Sequence, residues 1–368
     1  MAITATKKRK EGLTQYRVRV SIKQPDGSFR YVERTAFGMA EAKRIELELK
    51  QTPADRSMKL SELVALYNAS RKGQIRQTTF EKADSYLQNH VLPEYGDVRI
   101  DALSLPRLQL WKNEMAEKNL STVSKNNIYH AFSAVLNFGV KMEYLQKNNL
   151  RALGGFRDPV ASPENNRFRY YTAQQFAQYI AAVPRETIAD HMYYVFFMMA
   201  FFTGARKGEI NALKWSDVDG DVIHIRRSVA QKVKGSPFVE TPPKNKTSYR
   251  DVRMPRQLVE CLAEHRALLE TLDGFSEDWR VCGGFNILCD HAIFCRNEKY
   301  AKLAGLPRIT IHEFRHSHAS LLINAGVNIK EISRRLGHAT VEMTWNIYSH
   351  LYPDQEQKVI EILEKSIP

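Results

Sequence analysis

Polar and apolar residues alternate along Tyr16-Arg-Val-Arg-Val-Ser-Ile-Lys and again along Phe29-Arg-Tyr-Val-Glu-Arg-Thr. A period of two is the pattern of a strand with one covered face. Pro25-Asp26-Gly27, between the two runs, has turn chemistry, so the pattern predicts a β-hairpin. The period then changes. In residues 39–51, Ala40, Ala42, Ile45 and Leu49 recur as one side of a helix, and Thr52-Pro53-Ala54-Asp55 breaks it.

Residues 58 to about 150 read as helical throughout. Leu60, Leu63, Val64 and Tyr67 recur at helical spacing, with Ser61 as a candidate N-cap. Leu87 and Val91 suit a second helix, closed by Gly96 and Asp97. Residues 106–117 suit a third, with Leu108, Leu110, Trp111 and Met115. Residues 121–142 suit a fourth, with Ile128, Phe132, Val135, Leu136 and Phe138. Residues 154–169 hold a Gly-Gly pair, two prolines and Pro163-Glu-Asn-Asn, the composition of a linker. From residue 170 onward the chain reads as mostly helical. Two alternating stretches interrupt it, Val222-Ile-His-Ile-Arg-Arg-Ser-Val and Ser248-Tyr-Arg-Asp-Val-Arg-Met, with a polar, lysine-rich run between them. The fold class that follows is mainly α with small β-sheets (α+β). The predicted divisions are 1–52, 57–153, a linker at 154–169, and 170–368.

Composition adds a partner to this picture. With 368 residues, 43% of them apolar, the chain can bury more than one core. The formal net charge is +13. Such an excess suits a polyanion, because neutralising phosphates releases condensed counterions. The first 38 residues carry nine Lys/Arg against three Asp/Glu, so the hairpin has a basic face suited to a DNA groove. Cys261, Cys282, Cys289 and Cys295 include no Cys-x-x-Cys pair, so no metal site is expected. The apolar run 192–202 is shorter than the ~20 residues a bilayer span needs and predicts a buried core helix instead. No secretory signal is visible near the basic N-terminus, and the expected location is the cytoplasm, associated with the nucleoid.

Candidate chemistry lies in the last two fifths of the chain. Arg206 stands in Thr-Gly-Ala-Arg-Lys-Gly-Glu-Ile, and His312 and Arg315 in Ile-His-Glu-Phe-Arg-His-Ser-His. His338 stands in Leu-Gly-His, with Tyr348 ten positions later. Two arginines can fork onto the non-bridging oxygens of a phosphodiester without losing charge. A phenol, with an ordinary pKa near 10, can attack phosphorus once a base or a cationic setting activates it. His312 could serve as that base, and His338 could donate a hydrogen bond to the phosphoryl group.

The ordered set of Arg-Lys-Gly-Glu, a hairpin lysine, His-x-x-Arg, Leu-Gly-His and a tyrosine ten residues on resembles the tyrosine recombinase family, and within it the phage and conjugative-transposon integrases. The resemblance covers about residues 58–352 and is strongest over 203–350. It implies a helical core-binding domain and a catalytic domain forming a C-shaped clamp around double-stranded DNA. It implies that Arg206 and Arg315 hold the scissile phosphate and that Tyr348 attacks it, leaving a 3′-phosphotyrosyl link. By the same resemblance His312 is the general acid/base, His338 hydrogen-bonds the phosphate, and Glu209 orients the basic residues. Among Lys232, Lys234, Lys244 and Lys246, Lys244 best fits the family's catalytic lysine, because Pro243-Lys-Asn-Lys-Thr-Ser runs into the strand at 249–254; Lys246 is the runner-up. No cofactor and no metal are implied.

The resemblance extends further at both ends. The hairpin of 1–52 resembles the arm-binding domain of larger integrases. Residues 354–367, with Val359, Ile360, Ile362 and Leu363 on one helical side, resemble the family's exchanged tail helix; a helix packed on its own domain fits the pattern as well. A homotetramer on two duplexes is implied, with an excisionase and a DNA-bending host factor as helpers. A type IB topoisomerase and a non-catalytic DNA-binding regulator derived from an integrase are the alternatives.

Overall fold

The computed structural model describes residues 2–10, 13–23, 29–50, 58–158, 169–233, 235–242, 246–351 and 360. The chain divides into two compact units, Met1–Ala161 and Ser162–Pro368.

The first unit opens with strands β1 (Ala2–Lys10), β2 (Leu13–Lys23) and β3 (Phe29–Phe37), followed by helix α1 (Met39–Lys50). Both pairings are antiparallel, in the order β1-β2-β3. The alternation of β2 sends Val18 and Val20 inward with Ala36 and Ala42. It sends Arg17 and Arg19 to the open face, where Arg17 pairs with Glu33 at 2.9 Å and Arg19 stacks over Tyr31 at 4.3 Å. The expected hairpin is therefore one strand short. β1 escapes pattern reading because its run of threonines and basic residues shows almost no apolar alternation, and its register against β2 shifts between Ala5 and Arg9. Ala40, expected on the apolar side of α1, is exposed. The Pro25-Asp26-Gly27 turn lies outside the described residues.

Helices α2 (Leu60–Arg71), α3 (Gln77–His90), α4 (Leu92–Tyr95), α5 (Leu105–Glu117), α6 (Thr122–Lys141) and α7 (Leu150–Leu153) follow. They enclose a core that includes Leu63, Leu87, Leu108, Trp111, Phe132 and Leu136, with Trp111 edge-on to Phe132 at 5.1 Å. Ser121 caps α6 by accepting from the Ser124 N–H. Ser61 does not cap α2: the helix starts at Leu60 with Lys59 as N-cap, and the Lys59 N–H donates to the Glu62 carboxylate at 2.7 Å. Leu110 is exposed rather than packed. Much of the 154–169 linker lies outside the described residues.

The second unit contains α8 (Ala173–Ala181), α9 (Ile188–Thr203) and α10 (Lys207–Ala212), then strands β4 (Val218–Asp219), β5 (Val222–Ile225), β6 (Ser228–Val233), β7 (Ser236–Thr241) and β8 (Arg250–Arg253). It closes with α11 (Arg256–Glu270), α12 (Asp290–Leu303), α13 (Ile311–Asn324), α14 (Ile329–Leu336) and α15 (Val341–Tyr348). Helix α9 is apolar on nearly every side after its first turn and is correspondingly mostly buried, with Val195 to Phe201 all inside. Its Phe197 and Phe201 meet Phe176, Tyr179 and Phe314 in an aromatic core. Among the described residues no helix is long and apolar enough to cross a membrane.

The stretch read as one strand from Val222 is two strands in two sheets. β5 joins the sheet β4-β5-β8, and β6 pairs with β7. Arg226 and Arg227 mark the break because their side chains go separate ways. Arg226 donates to the Arg250 carbonyl (3.0 Å) and Arg227 to Asp217 (3.1 Å). Residues 354–367, the expected tail helix, lie outside the described residues apart from Ile360.

Candidate active site

Helix α9 ends where Gly204 takes a left-handed φ of 62°. A Cβ on Gly204 would lie 2.7 Å from His318 and 2.9 Å from Leu336, so only glycine allows α13 and α14 to approach this turn. The turn delivers Arg206 to the N-cap of α10. There its Nη1 donates to Glu209 Oε1 (2.8 Å), its Nη2 to the Gly337 carbonyl (3.2 Å), and its backbone N–H to Glu209 Oε2 (2.9 Å). The next motif residue but one, Gly208, is needed for a different contact. A Cβ there would stand 2.5 Å from the Val229 carbonyl, so its absence lets β6 lie against α10.

Glu209 is buried and shared. Arg250, also buried, donates to both its oxygens (2.8 and 3.3 Å), to the Arg335 carbonyl (2.8 Å) and to the Ser248 carbonyl (3.1 Å). Burial pulls the Glu209 pKa up, but the hydrogen bond and charge of Arg250, with the charge of Arg206, outweigh it and hold the carboxyl below its ordinary value. Arg250 thus ties β8 to α10 and to the end of α14.

Arg315 is 1% exposed. Its Nη1 donates to the Gly204 carbonyl (2.8 Å) and its Nη2 to the Leu336 carbonyl (2.7 Å). Burial first, then Arg206 and Arg250, push its pKa down to about 9; it remains a cation at neutral pH. Helix α14 ends at Gly337 with a φ of 67°, which turns His338 inward. The Nδ1 of His338 shares a hydrogen bond with Thr344 Oγ1 at 2.7 Å. Burial, then Arg315, Arg206 and His312, push its pKa down to about 3, so the ring is neutral. His312 lies in the first turn of α13 and is exposed as a residue. Burial of its ring nitrogens among neighbouring groups, then Arg315 and Arg206, lower its pKa.

Tyr348, at the end of α15, is 1% exposed and packs with Ala319, Ile323, Ile332 and Leu336. Its hydroxyl shares a 2.7 Å hydrogen bond with Nδ1 of His316, not with His312. Burial pushes the phenol up to about 12 against the opposing pull of Arg315.

The structure therefore brings Arg206, His312, Arg315, His338 and Tyr348 to one pole of the second unit, around Gly204 and Gly337. Lys244 lies outside the described residues. Lys246 opens the short 3₁₀ turn Lys246–Ser248 that leads into β8. The motif reading passed over Arg250 and His316. Each had a signal. Arg250 shares the inward phase of its strand with Val252, an unusual place for an arginine. His316 follows His312 by four residues and so shares its helix face, and their rings meet edge-on at 4.9 Å. In sum, two fixed guanidiniums, neutral imidazoles and a phenol can bind an oxyanion and move protons beside it.

Known proteins resemble this chain in sequence and in fold. The phage integrase family profile matches residues 169–355, and that of the phage integrase N-terminal SAM-like domain matches 59–116. The ICEBs1 integrase of Bacillus subtilis (strain 168) is 27% identical over 334 residues, covering 88% of each chain. The integrase of Mycobacterium phage L5 is 23% identical, covering 95% of each. The Tn1549 transposon integrase, solved with transposon right end DNA, superposes with a TM-score of 0.65 at 22% identity over 83% of this chain and 100% of that one. A lambda integrase dimer bound to a core site gives 0.59 at 16% identity, over 95% of each.

Proposed function

The chain belongs to the phage integrase family and is a tyrosine recombinase, an enzyme of site-specific DNA recombination; from that premise we propose that Tyr348 is its nucleophile and that the surrounding basic residues hold the scissile phosphate. The phenolic oxygen attacks phosphorus, the bond to the 5′-oxygen breaks, and a 3′-phosphotyrosyl link and a free 5′-hydroxyl result. A 5′-hydroxyl from a second duplex then reverses the step and rejoins the strands. Bond energy stays in the phosphotyrosyl link, so the exchange is nearly isoenergetic.

The observation that carries this reading is the convergence of Arg206, Arg315, His312 and His338 on the pole of the unit where α15 delivers its tyrosine. Arg206 is the more open guanidinium, with 38% of its side chain exposed, and reaches the non-bridging oxygens. Arg315 adds its remaining N–H groups from below. The neutral His338, held through Nδ1 by Thr344, offers its Nε2 to the phosphoryl group. His312 acts as general acid/base, and Lys244 protonates the leaving 5′-oxygen. Because Tyr348 is 1% exposed, DNA has to uncover its oxygen before attack.

Duplex DNA is the partner, bound at two kinds of site. Residues 170–368 are the catalytic domain and 57–153 a core-binding domain. Residues 1–52 act as an arm-type DNA-binding domain, a reading supported by the exposed Arg17, Arg19 and Tyr31 on one side of its sheet, and linking two binding sites raises the effective concentration of each. A homotetramer acts on nucleoid DNA, helped by an excisionase and a bending protein, and integrates or excises a mobile element.

A duplex nicked near the cleavage point traps the covalent complex, which is read on a denaturing gel. The wild-type chain becomes linked to DNA and Tyr348→Phe does not, while both bind the duplex. A covalent adduct from the Phe variant overturns the assignment.

A further inference from the structure

The 2.7 Å contact between the Tyr348 hydroxyl and Nδ1 of His316 has no part in the reaction described so far, where His312 served the proton transfers. The two histidines share a face of α13, with rings edge-on at 4.9 Å, but they meet different atoms. His312 stands at the helix start in the field of Arg315 and Arg206. His316 stands one turn deeper, against the phenol. We propose that His316 is the proton acceptor for Tyr348. The inference rests on Tyr348 being the nucleophile.

As the phenolic oxygen bonds to phosphorus and the bond to the 5′-oxygen breaks, the phenolic proton passes to Nδ1 of His316. The leaving 5′-oxygen takes its proton from a separate donor, the lysine assigned above. On rejoining, the attacking 5′-hydroxyl gives its proton back to that donor, and the protonated His316 returns its own proton to the departing phenolate. His316 is suited to this by its setting. Burial first, then His312, push its pKa down to about 4, with Arg315 adding to the depression and Glu313 opposing it. The ring therefore holds no second proton at neutral pH and has a lone pair to accept one. Among the described residues the charged or titratable groups that bear on it are His312, Glu313 and Arg315 on its own helix and Tyr348 on α15. A base this weak works only during attack, when the phenol becomes strongly acidic as its oxygen bonds to phosphorus.

The test uses the full chain and nicked suicide duplexes in two forms, one with the ordinary 5′-oxygen and one with a bridging 5′-sulfur, whose departure needs no proton. Rates of covalent-complex formation are measured from about pH 6 to 9, a range bracketing ordinary histidine titration, for wild type, His316→Ala, His316→Asn and Tyr348→Phe. DNA binding by each is checked by anisotropy. His316→Ala is expected to lose about 10²–10⁴-fold in rate on both substrates. Its rate should climb with pH while the wild type stays level, because hydroxide then replaces the missing base. His316→Asn, which keeps a polar atom near Nδ1 but cannot take a proton, should behave like Ala. The inference is overturned if Asn restores the wild-type rate and profile, since the contact then only positions the phenol. It is also overturned if the sulfur substrate alone rescues Ala, since the lost proton then belonged to the leaving group. A Tyr348→Phe adduct would instead overturn the nucleophile assignment beneath it.

Discussion

Substituting Arg250 by methionine tests how the site is held together. Methionine keeps most of the buried stem but removes the guanidinium that donates twice to Glu209 and once each to the Arg335 and Ser248 carbonyls. Glu209 would keep only Arg206, whose own side chain is partly exposed. Removing one partner of a buried ion pair typically costs about 3–5 kcal/mol, because the survivor stays charged and desolvated. For a unit of this size each kcal/mol shifts the melting midpoint by roughly 2–4 °C, so Arg250→Met should melt about 6–20 °C below wild type in a calorimetric scan at neutral pH. The pH dependence has a definite sign. The Glu209 carboxyl is held below its ordinary value, so the pair's contribution is fully present above the unfolded carboxyl pKa of about 4.3. It is lost as pH falls through the lower folded value. The gap between wild type and variant should therefore be constant from neutrality down to about pH 5 and close below about pH 4. A double variant with Glu209→Gln should fall less than the two single losses combined. A variant melting within about 2 °C of wild type, less than one kcal/mol on the same scale, would refute the claim that this pair holds β8, α10 and the end of α14 together.

Arg206→Lys should bind duplex DNA nearly as wild type but form covalent complex about 100-fold more slowly or worse, because lysine cannot span Glu209 and the Gly337 carbonyl while still forking onto a phosphate; a rate within threefold, about 0.7 kcal/mol, argues against its clamp role. Gly208→Ala puts a methyl 2.5 Å from the Val229 carbonyl and should cost about 1–3 kcal/mol in a denaturant titration; an unchanged midpoint would mean that the hairpin yields freely. The low-pKa imidazoles should make the fold acid-labile. His265 and His316 are pushed down to about 4, and His318 and His338 to about 3, so the unfolded chain takes up protons that the folded one refuses. Stability should be level above pH 7 and fall as pH drops from about 6.5 toward 4; a melting temperature unchanged at pH 4.5 would contradict neutral buried rings.

Much of this site was legible in the chain because its residues are spaced by helical turns and announced by glycines. Gly204 and Gly337 mark the two turns that bring Arg206 and His338 to the same pole. The helical segments of the first unit were readable for a related reason: their apolar positions recur locally, as at Leu108, Trp111 and Met115. What pattern reading missed depends on partners far along the chain. β1 shows little apolar alternation of its own and is recognisable only from its pairing with β2. The break between β5 and β6 is set by where Arg226 and Arg227 find acceptors, Arg250 and Asp217. Ser61 has capping chemistry, yet Glu62 reaches back to Lys59 and fixes the helix start two residues earlier. His316 was hidden by the motif itself: the spacing drew the eye to His312 and Arg315, while the phenol's hydrogen bond depends on how deep in the fold each turn of α13 lies.

The two short donations from Arg315 have a practical consequence for anyone dissecting this enzyme. That guanidinium fastens the backbone at Gly204 to the backbone at Leu336, two strands of connectivity more than a hundred residues apart. A dead Arg315 variant will therefore report a lost rivet as much as lost chemistry, and its silence on a gel will be ambiguous. Arg206, partly in solvent and braced by a carboxylate, is the cleaner lever for separating charge from architecture.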